Sequence, residues 1–190
     1  MSKKILKADF VFEYVIRDVN LLYWNKRIAA MKKGKKMERY KVILVDDEAE
    51  VIDMIEKKIH WNDLGFEVAG SATNGVKALE LVEKLQPDVV LTDIKMPYMD
   101  GLELSRRLNR EYPNIYIMLC TGFDEFEYAK EAVHLEIKEY MLKPVNATEL
   151  SESLTNLKHT LDREREEKLN VKKLNDYFQE VLPKLQSNFF

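Results

Sequence analysis

Lys41-Val-Ile-Leu-Val-Asp-Asp-Glu48 and Asp88-Val-Val-Leu-Thr-Asp93 decide the fold of this chain. In each, a short run of β-branched and aliphatic residues stops abruptly in acid. Strands buried on both faces read as continuous apolar runs of this kind, the pattern of a parallel sheet with helices on either side. Between the two runs, Val51, Ile52, Ile55 and Ile59 recur at helical spacing, and Phe66-Glu-Val-Ala-Gly-Ser-Ala72 reads as a second strand. Asn74–Leu85 follows as a helix carrying Val76, Leu79, Leu81, Val82 and Leu85, with Pro87 as its stop.

Downstream the alternation continues. A helix is expected over Gly101–Glu111, a fourth strand over Ile115–Cys120, and a helix over roughly Glu125–Leu135. Lys138–Leu142 makes a short fifth strand, and Asn146 or Thr148 starts a final helix. Five strands alternating with five helices imply βαβ units, hence an α/β doubly wound parallel sheet. Right-handed crossovers leave few topologies for such a chain.

The final helix runs on past this pattern. Leu150, Leu154, Leu157 and Leu161 follow the 4-3-4 spacing of a heptad seam, and the same register then meets Glu164 and Lys168. Apolar character returns at Leu169, Val171, Leu174, Phe178, Val181, Leu182 and Leu185. The first two turns are expected to pack on the sheet; beyond them a dimerising coil and a linker helix are both open. Three parts are therefore expected: a basic extension over 1–37, a compact domain over 38–160 and a helical linker over 161–190.

The net charge of -3 is unevenly spread. Residues 1–40 hold 11 Lys/Arg against 4 Asp/Glu, whereas 41–190 hold 19 against 29. That acidic excess argues against nucleic-acid binding by residues 41–190, because phosphate contacts are made mainly by Lys and Arg. The N-terminal arm reads as a solvated tail. Within it, Phe10–Trp24 is broken by Glu13, Arg17 and Asp18, so it suits an amphipathic surface helix better than a membrane span or a signal peptide. Met37-Glu-Arg-Tyr-Lys-Val is expected to be a natural start, with the preceding stretch a misassigned extension. Cys120 is the one cysteine, expected as a buried thiol in a reducing cytoplasm. His60, His134 and His159 lack metal-ligand spacing. Gly70-Ser-Ala-Thr-Asn-Gly75 lacks nucleotide-binding spacing and reads as a strand-to-helix turn.

In an open parallel sheet, ligands bind beyond the carboxyl ends of the strands. There the first strand delivers Asp46-Asp47-Glu48, the third Asp93, the fourth Thr121-Gly122 and the fifth Lys143-Pro144. Crowded carboxylates repel, and a hard divalent cation relieves the repulsion; Mg2+ suits one or two carboxylates plus waters and phosphate oxygens. With its charge offset, the Asp93 carboxylate can attack phosphorus, Lys143 can neutralise the phosphoryl oxygens and the Thr121 hydroxyl can donate to one. Taken alone, Asp46-Asp47 would just as well cap the helix that follows.

Val42-Ile-Leu-Val-Asp-Asp-Glu48, Leu91-Thr-Asp-Ile-Lys-Met-Pro-Tyr-Met-Asp-Gly101 and Glu139-Tyr-Met-Leu-Lys-Pro144 together resemble the receiver domain of two-component response regulators, across about residues 40–150. The resemblance implies a flavodoxin-like (βα)5 fold with strand order 2-1-3-4-5. It implies Mg2+ held by Asp47, by Asp46 through water, by Asp93 and by the Lys95 backbone carbonyl. Asp93 would take a phosphoryl group from a sensor histidine kinase, Lys143 would bind it, and the Lys143–Pro144 bond would be cis. Thr121 and Tyr140 match the pair that couples phosphorylation to the face made by the fourth helix, fifth strand and fifth helix. A homodimer through that face or through the C-terminal helix is compatible with the pattern. Lys95, Gly122 and Phe123 lie where such domains vary, so the dephosphorylation rate is left open. His60-Trp61-Asn62 and the extended linker are similar to receivers attached to AraC-type DNA-binding domains, so control of transcription through an output domain not present in this chain is expected.

Two other functions use the same residues. A phosphatase or phosphotransferase of the haloacid dehalogenase type would need Asp-x-Asp, where this chain has adjacent Asp46-Asp47, and cap elements that are not found. A phosphorylation-independent binding module would have no need of intact Asp93, Thr121 and Lys143. The expected protein is thus a signalling switch and not an enzyme.

Overall fold

The computed structural model describes residues 39–122, 130, 132, 135, 137 and 139–187, with side chains as far as residue 179. Each apolar run becomes a strand: β1 (Tyr40–Val45), β2 (Phe66–Ala72), β3 (Val89–Asp93), β4 (Tyr116–Thr121) and β5 (Glu139–Leu142). The strands are all parallel in the order β2-β1-β3-β4-β5. This is the expected flavodoxin-like order, with β2 and β5 at the edges. The expected bounds of β2 are reproduced; β3, expected over Asp88–Thr92, and β4 are each displaced one residue along the chain, starting one residue later and taking in Asp93 and Thr121. Apolar counting stops at the first polar side chain, whereas the hydrogen-bond ladder continues to the strand end.

Side chains alternate across the pleat, so one strand feeds two cores. Val42 and Leu44 join Phe66, Leu91 and Met118 on one face, whereas Ile43 and Val45 join Val90, Leu102 and Leu119 on the other. Helix α1 (Ala49–Lys58) covers the first face with Ile52 and Ile55. Helices α2 (Gly75–Leu85) and α3 (Gly101–Glu111) cover the second, with Ala78 and Val82 from α2 and Leu102, Leu104 and Leu108 from α3. Fully burying Phe66 alone is worth roughly 1.5–3 kcal/mol. A one-turn helix at Trp61–Leu64, absent from the sequence reading, ends at Gly65 with φ 83°. Trp61 is buried and donates its indole N–H to the Glu56 carbonyl. Of the helix expected over Glu125–Leu135, only Lys130, Ala132 and Leu135 lie within the described residues.

The final helix, Ala147–Ser187, is continuous over 41 residues. Leu150, Leu154 and Leu161 are buried against the first face of the sheet and Leu157 packs beside them. That stripe is therefore core and is not open to a second copy of the chain. The lapse at Glu164 and Lys168 has a physical cause, because those positions leave the apolar sheet and meet its polar lower edge. There the Tyr40 hydroxyl donates to Asp162 (2.8 Å) and the Tyr116 hydroxyl donates to Glu164. The Arg165 guanidinium lies 4.6 Å from the centroid of the Tyr40 ring, and Lys168 donates to the Asn114 side chain (3.0 Å). Leu169, Val171, Leu174 and Phe178 follow, all exposed.

These contacts respond to pH. Burial works against the Asp162 anion, but hydrogen bonds from Lys158 and Tyr40 hold its carboxyl below the usual range. Its contribution to stability is thus complete above about pH 4 and fades as the pH falls through the lowered value. Replacing Tyr40 and Tyr116 by Phe is expected to cost about 1 kcal/mol each in chemical denaturation. Amide exchange over residues 162–168 should speed up in the same variants.

Candidate functional site

The register of the sheet assembles the site. Val45 pairs with Thr92, so Asp46, which leaves β1, lies beside Asp93 at the end of β3. Asp93 in turn pairs with Cys120, and Thr121 with Leu142, which brings Thr121 and Lys143 to the same edge. One carboxylate oxygen each from Asp46, Asp47 and Asp93 lie within 4.8 Å of one another. The Lys143 ammonium is 2.8 Å from Asp93 Oδ1 and 2.9 Å from Asp46 Oδ2. Asp46 and Asp93 are buried, whereas Asp47 stands exposed at the rim. The Lys143–Pro144 peptide is cis, as expected.

Helix capping does not account for this acid cluster. The cap position of α1 is Glu48, which makes no side-chain cap bond. Asp46 Oδ1 accepts the Glu48 N–H (3.0 Å) while its other oxygen faces Lys143, so this residue serves the turn and the cluster together. Asp100 is the acid that does cap: it accepts the Glu103 N–H at the start of α3 (2.7 Å).

Electrostatically, the buried pair of carboxylates outnumbers the one ammonium. Burial pushes the Asp93 carboxyl above the usual carboxylate range, and Asp46 adds to the rise against the pull of Lys143. For Lys143, burial opposes the charge, but hydrogen bonds to Asp93 and Asp46 hold its pKa above the ordinary lysine value. Lys143 therefore stays charged, and the residual strain of the cluster falls on Asp93. A divalent cation relieves that excess of negative charge, and an all-oxygen set with one contact through water fits the span of 4.8 Å. Among the described residues this is the one grouping of three or more His, Cys, Asp or Glu able to hold a metal ion. His60 and His159 take no part in it; His134 lies outside the described residues.

The Thr121 hydroxyl is buried and lies 3.4 Å from the Gly122 carbonyl, while the Thr121 carbonyl accepts the Lys143 N–H (2.6 Å). Tyr140 pairs with Leu119 in register and is half-buried against the second core. Lys95 is exposed in the loop that joins β3 to α3. Phe123 lies outside the described residues. Cys120 sits below Asp93 as the expected buried thiol, with burial raising its pKa to about 12. Two features escaped the sequence reading. Gly101 closes the β3–α3 loop by donating its N–H to the Ile94 carbonyl (2.8 Å), and Gly75 donates to the Met99 carbonyl (3.1 Å). Backbone contacts between helix starts and a loop leave no periodic trace in the chain.

Acid at the ends of β1 and β3, a hydroxyl after β4 and a lysine after β5, on a 2-1-3-4-5 sheet, define the flavodoxin-like receiver class. Comparison with known proteins agrees: the response regulator receiver domain matches residues 42–155, and the chain belongs to that family. The transcriptional regulatory protein YesN of Bacillus subtilis is 42% identical over 125 residues, covering 66% of this chain and 34% of that protein. HptR of Staphylococcus aureus, also a transcriptional regulatory protein, is 32% identical over 144 residues, covering 75% of this chain and 56% of its own length. This chain thus spans about a third and just over half of these relatives. Among solved structures, the receiver domain of AraT from Geobacillus stearothermophilus superposes with a TM-score of 0.64 at 39% identity, covering 66% of this chain and 98% of that one. A two-component transcriptional regulator AraC from Clostridium phytofermentans gives 0.62 at 30% identity, again over 66% and 98%. The protein carries the receiver domain of a two-component response regulator, and its relatives are transcriptional regulators. No helix among the described residues is long and apolar enough to cross a membrane.

Receiver domains typically bind Mg2+ through an acidic pocket, and the Asp cluster is of that kind. Replacing Asp47 by Asn is expected to weaken Mg2+ binding by about tenfold or more, read by titration calorimetry. Fold and melting temperature in EDTA should change little, because Asp47 is exposed.

Proposed function

We propose that this protein is a phosphorylation switch in which Asp93 accepts a phosphoryl group from the phosphohistidine of a sensor histidine kinase. One observation carries the reading: three carboxylates within 4.8 Å, two of them bridged by the Lys143 ammonium at 2.8 and 2.9 Å. An Asp93 carboxylate oxygen attacks phosphorus, the bond from phosphorus to the donor nitrogen breaks, and the electron pair leaves with the donor. Asp47, Asp93, the Lys95 backbone carbonyl and, through water, Asp46 would hold Mg2+. That ion would supply neutralising charge to the oxygens around phosphorus. Lys143 then turns from the free carboxylate to the new phosphoryl oxygens, a change of partner within its reach.

The added charge and acceptors draw the Thr121 hydroxyl inward, and Tyr140 moves into the vacated space. Such a change alters the face made by β5, the final helix and the helix expected over Glu125–Leu135. Pairing of two copies would use that face or the exposed apolar stripe beyond Lys168, since Leu150–Leu161 are core. The output is control of transcription by a domain attached through the final helix, with no direct nucleic-acid contact from residues 41–190. On this reading the chain divides into the extension 1–37, the receiver and the linker, it works in the cytoplasm, and it is not an enzyme.

Incubation with Mg2+ and acetyl phosphate, followed by intact-mass measurement, tests the proposal. A single phosphoryl adduct is expected. Steady turnover of varied phosphate esters would point to a phosphatase, and no adduct under any donor would leave a binding module.

A further inference from the structure

The loop between β3 and α3, residues 94–100, supplies the Lys95 carbonyl to the proposed ion, and Ile94, Met96 and Met99 bury it against the second core. Its first residue is tied to the start of α3 by the Gly101 N–H bond to Ile94 O (2.8 Å), and Met99 N–H closes a tight turn onto Pro97 O (2.8 Å). The outer part of the loop rests on another element. Gly75, the first residue of α2, donates its N–H to Met99 O at 3.1 Å. A Cβ at position 75 would meet Met99 Cγ at 2.7 Å, the Met99 carbonyl oxygen at 2.9 Å and Met99 Sδ at 2.9 Å. Side-chain atoms can swing aside, but the carbonyl oxygen moves only with the loop.

Helix α2 has no room to retreat. Its cap residue Asn74 is buried and accepts the Lys77 N–H (3.0 Å), and Ala78 and Val82 are fully buried against the sheet. Met99, on the loop, is itself buried in the same core as Ala78 and Val82. We infer that Gly75 is a positioning residue for the metal-binding loop, its missing side chain letting the backbones of α2 and the loop touch so that the Lys95 carbonyl is held for the ion. This rests on the Mg2+ reading above. Outer groups that orient a metal ligand commonly control affinity by about 10–100-fold, which sets the size of the expected effect.

Mg2+ titration calorimetry on the full chain, together with melting in EDTA, tests the inference with three variants. Gly75→Ala is expected to bind Mg2+ about tenfold more weakly than wild type. Met99→Ala keeps the backbone contact and should stay within about twofold. If Gly75→Ala does not fold, Gly75→Ala/Met99→Ala, which removes two of the three close contacts, is compared with Met99→Ala, and a fall of about fivefold or more is expected. A glycine that only starts a helix would leave the affinity of Gly75→Ala within about twofold of wild type, whatever the melting temperature, and that result overturns the inference. Wild-type protein that binds no Mg2+ would instead sink the site reading itself, an outcome distinct from a variant-specific null.

Discussion

In the acetyl phosphate experiment, Asp93→Asn protein is expected to keep its unmodified mass while the wild type gains one adduct. An amide oxygen carries no full charge and makes a poor nucleophile, and the two remaining acids are differently committed. Asp46 is held by Lys143 and the Glu48 N–H, and Asp47 points to solvent at the rim. Neither sits at the end of β3, where the lysine and the Thr121 strand converge. The same variant should be more stable than wild type in EDTA. The Asp93 carboxyl is held above the usual range, so the folded protein takes up its proton more readily than the unfolded chain does. Ionisation therefore costs stability as the pH rises above about 4, and Asn removes that cost. A melting temperature for Asp93→Asn below that of the wild type in EDTA would contradict the strained-cluster description.

Gly101→Ala is expected to cost more stability than the replacements of Tyr40, Tyr116, Gly75 or Met99. A Cβ at this position would lie 2.1 Å from the Asp93 carbonyl oxygen and 3.1 Å from Ile94 Cα. Both are backbone atoms, one at the strand end and one just beyond it, so no rotamer change gives relief. Forcing them apart breaks the 2.8 Å bond from Gly101 N–H to Ile94 O and displaces Asp93. A loss of about 3 kcal/mol or more in chemical denaturation is expected, the upper range for overpacking. Adduct formation should fall with it, even at temperatures where the protein remains folded. Stability within about 1 kcal/mol of wild type would mean that the loop yields easily.

How much of this was legible in the residues follows from what each signal reports. The strands were readable because burial on both faces forces continuous apolar runs, and α2 and α3 because one face of each must stay apolar. The acid, hydroxyl and lysine positions were readable because parallel strands deliver their carboxyl ends to one edge. What was hidden depends on proximity between loops or on polar docking. Trp61–Leu64 is too short for a period, and the contact of Gly75 with Met99 joins a helix start to a distant loop. Glu164 and Lys168 looked like a broken seam because apolar counting is blind to a tyrosine hydroxyl or an asparagine that waits at the sheet edge. The shift in pairing between Val42 and Ile43 on β1 likewise has no marker in composition.

The final helix has a mechanical consequence. Anchored to the sheet as far as Lys168, it continues to Ser187, a further length of about 28 Å at 1.5 Å per residue. A tilt of only a few degrees at the tyrosine anchors would swing the tip by ~2 Å over such an arm. Rearrangements too small to notice near Asp93 can thereby arrive as a displacement of ~2 Å at the far end of the helix.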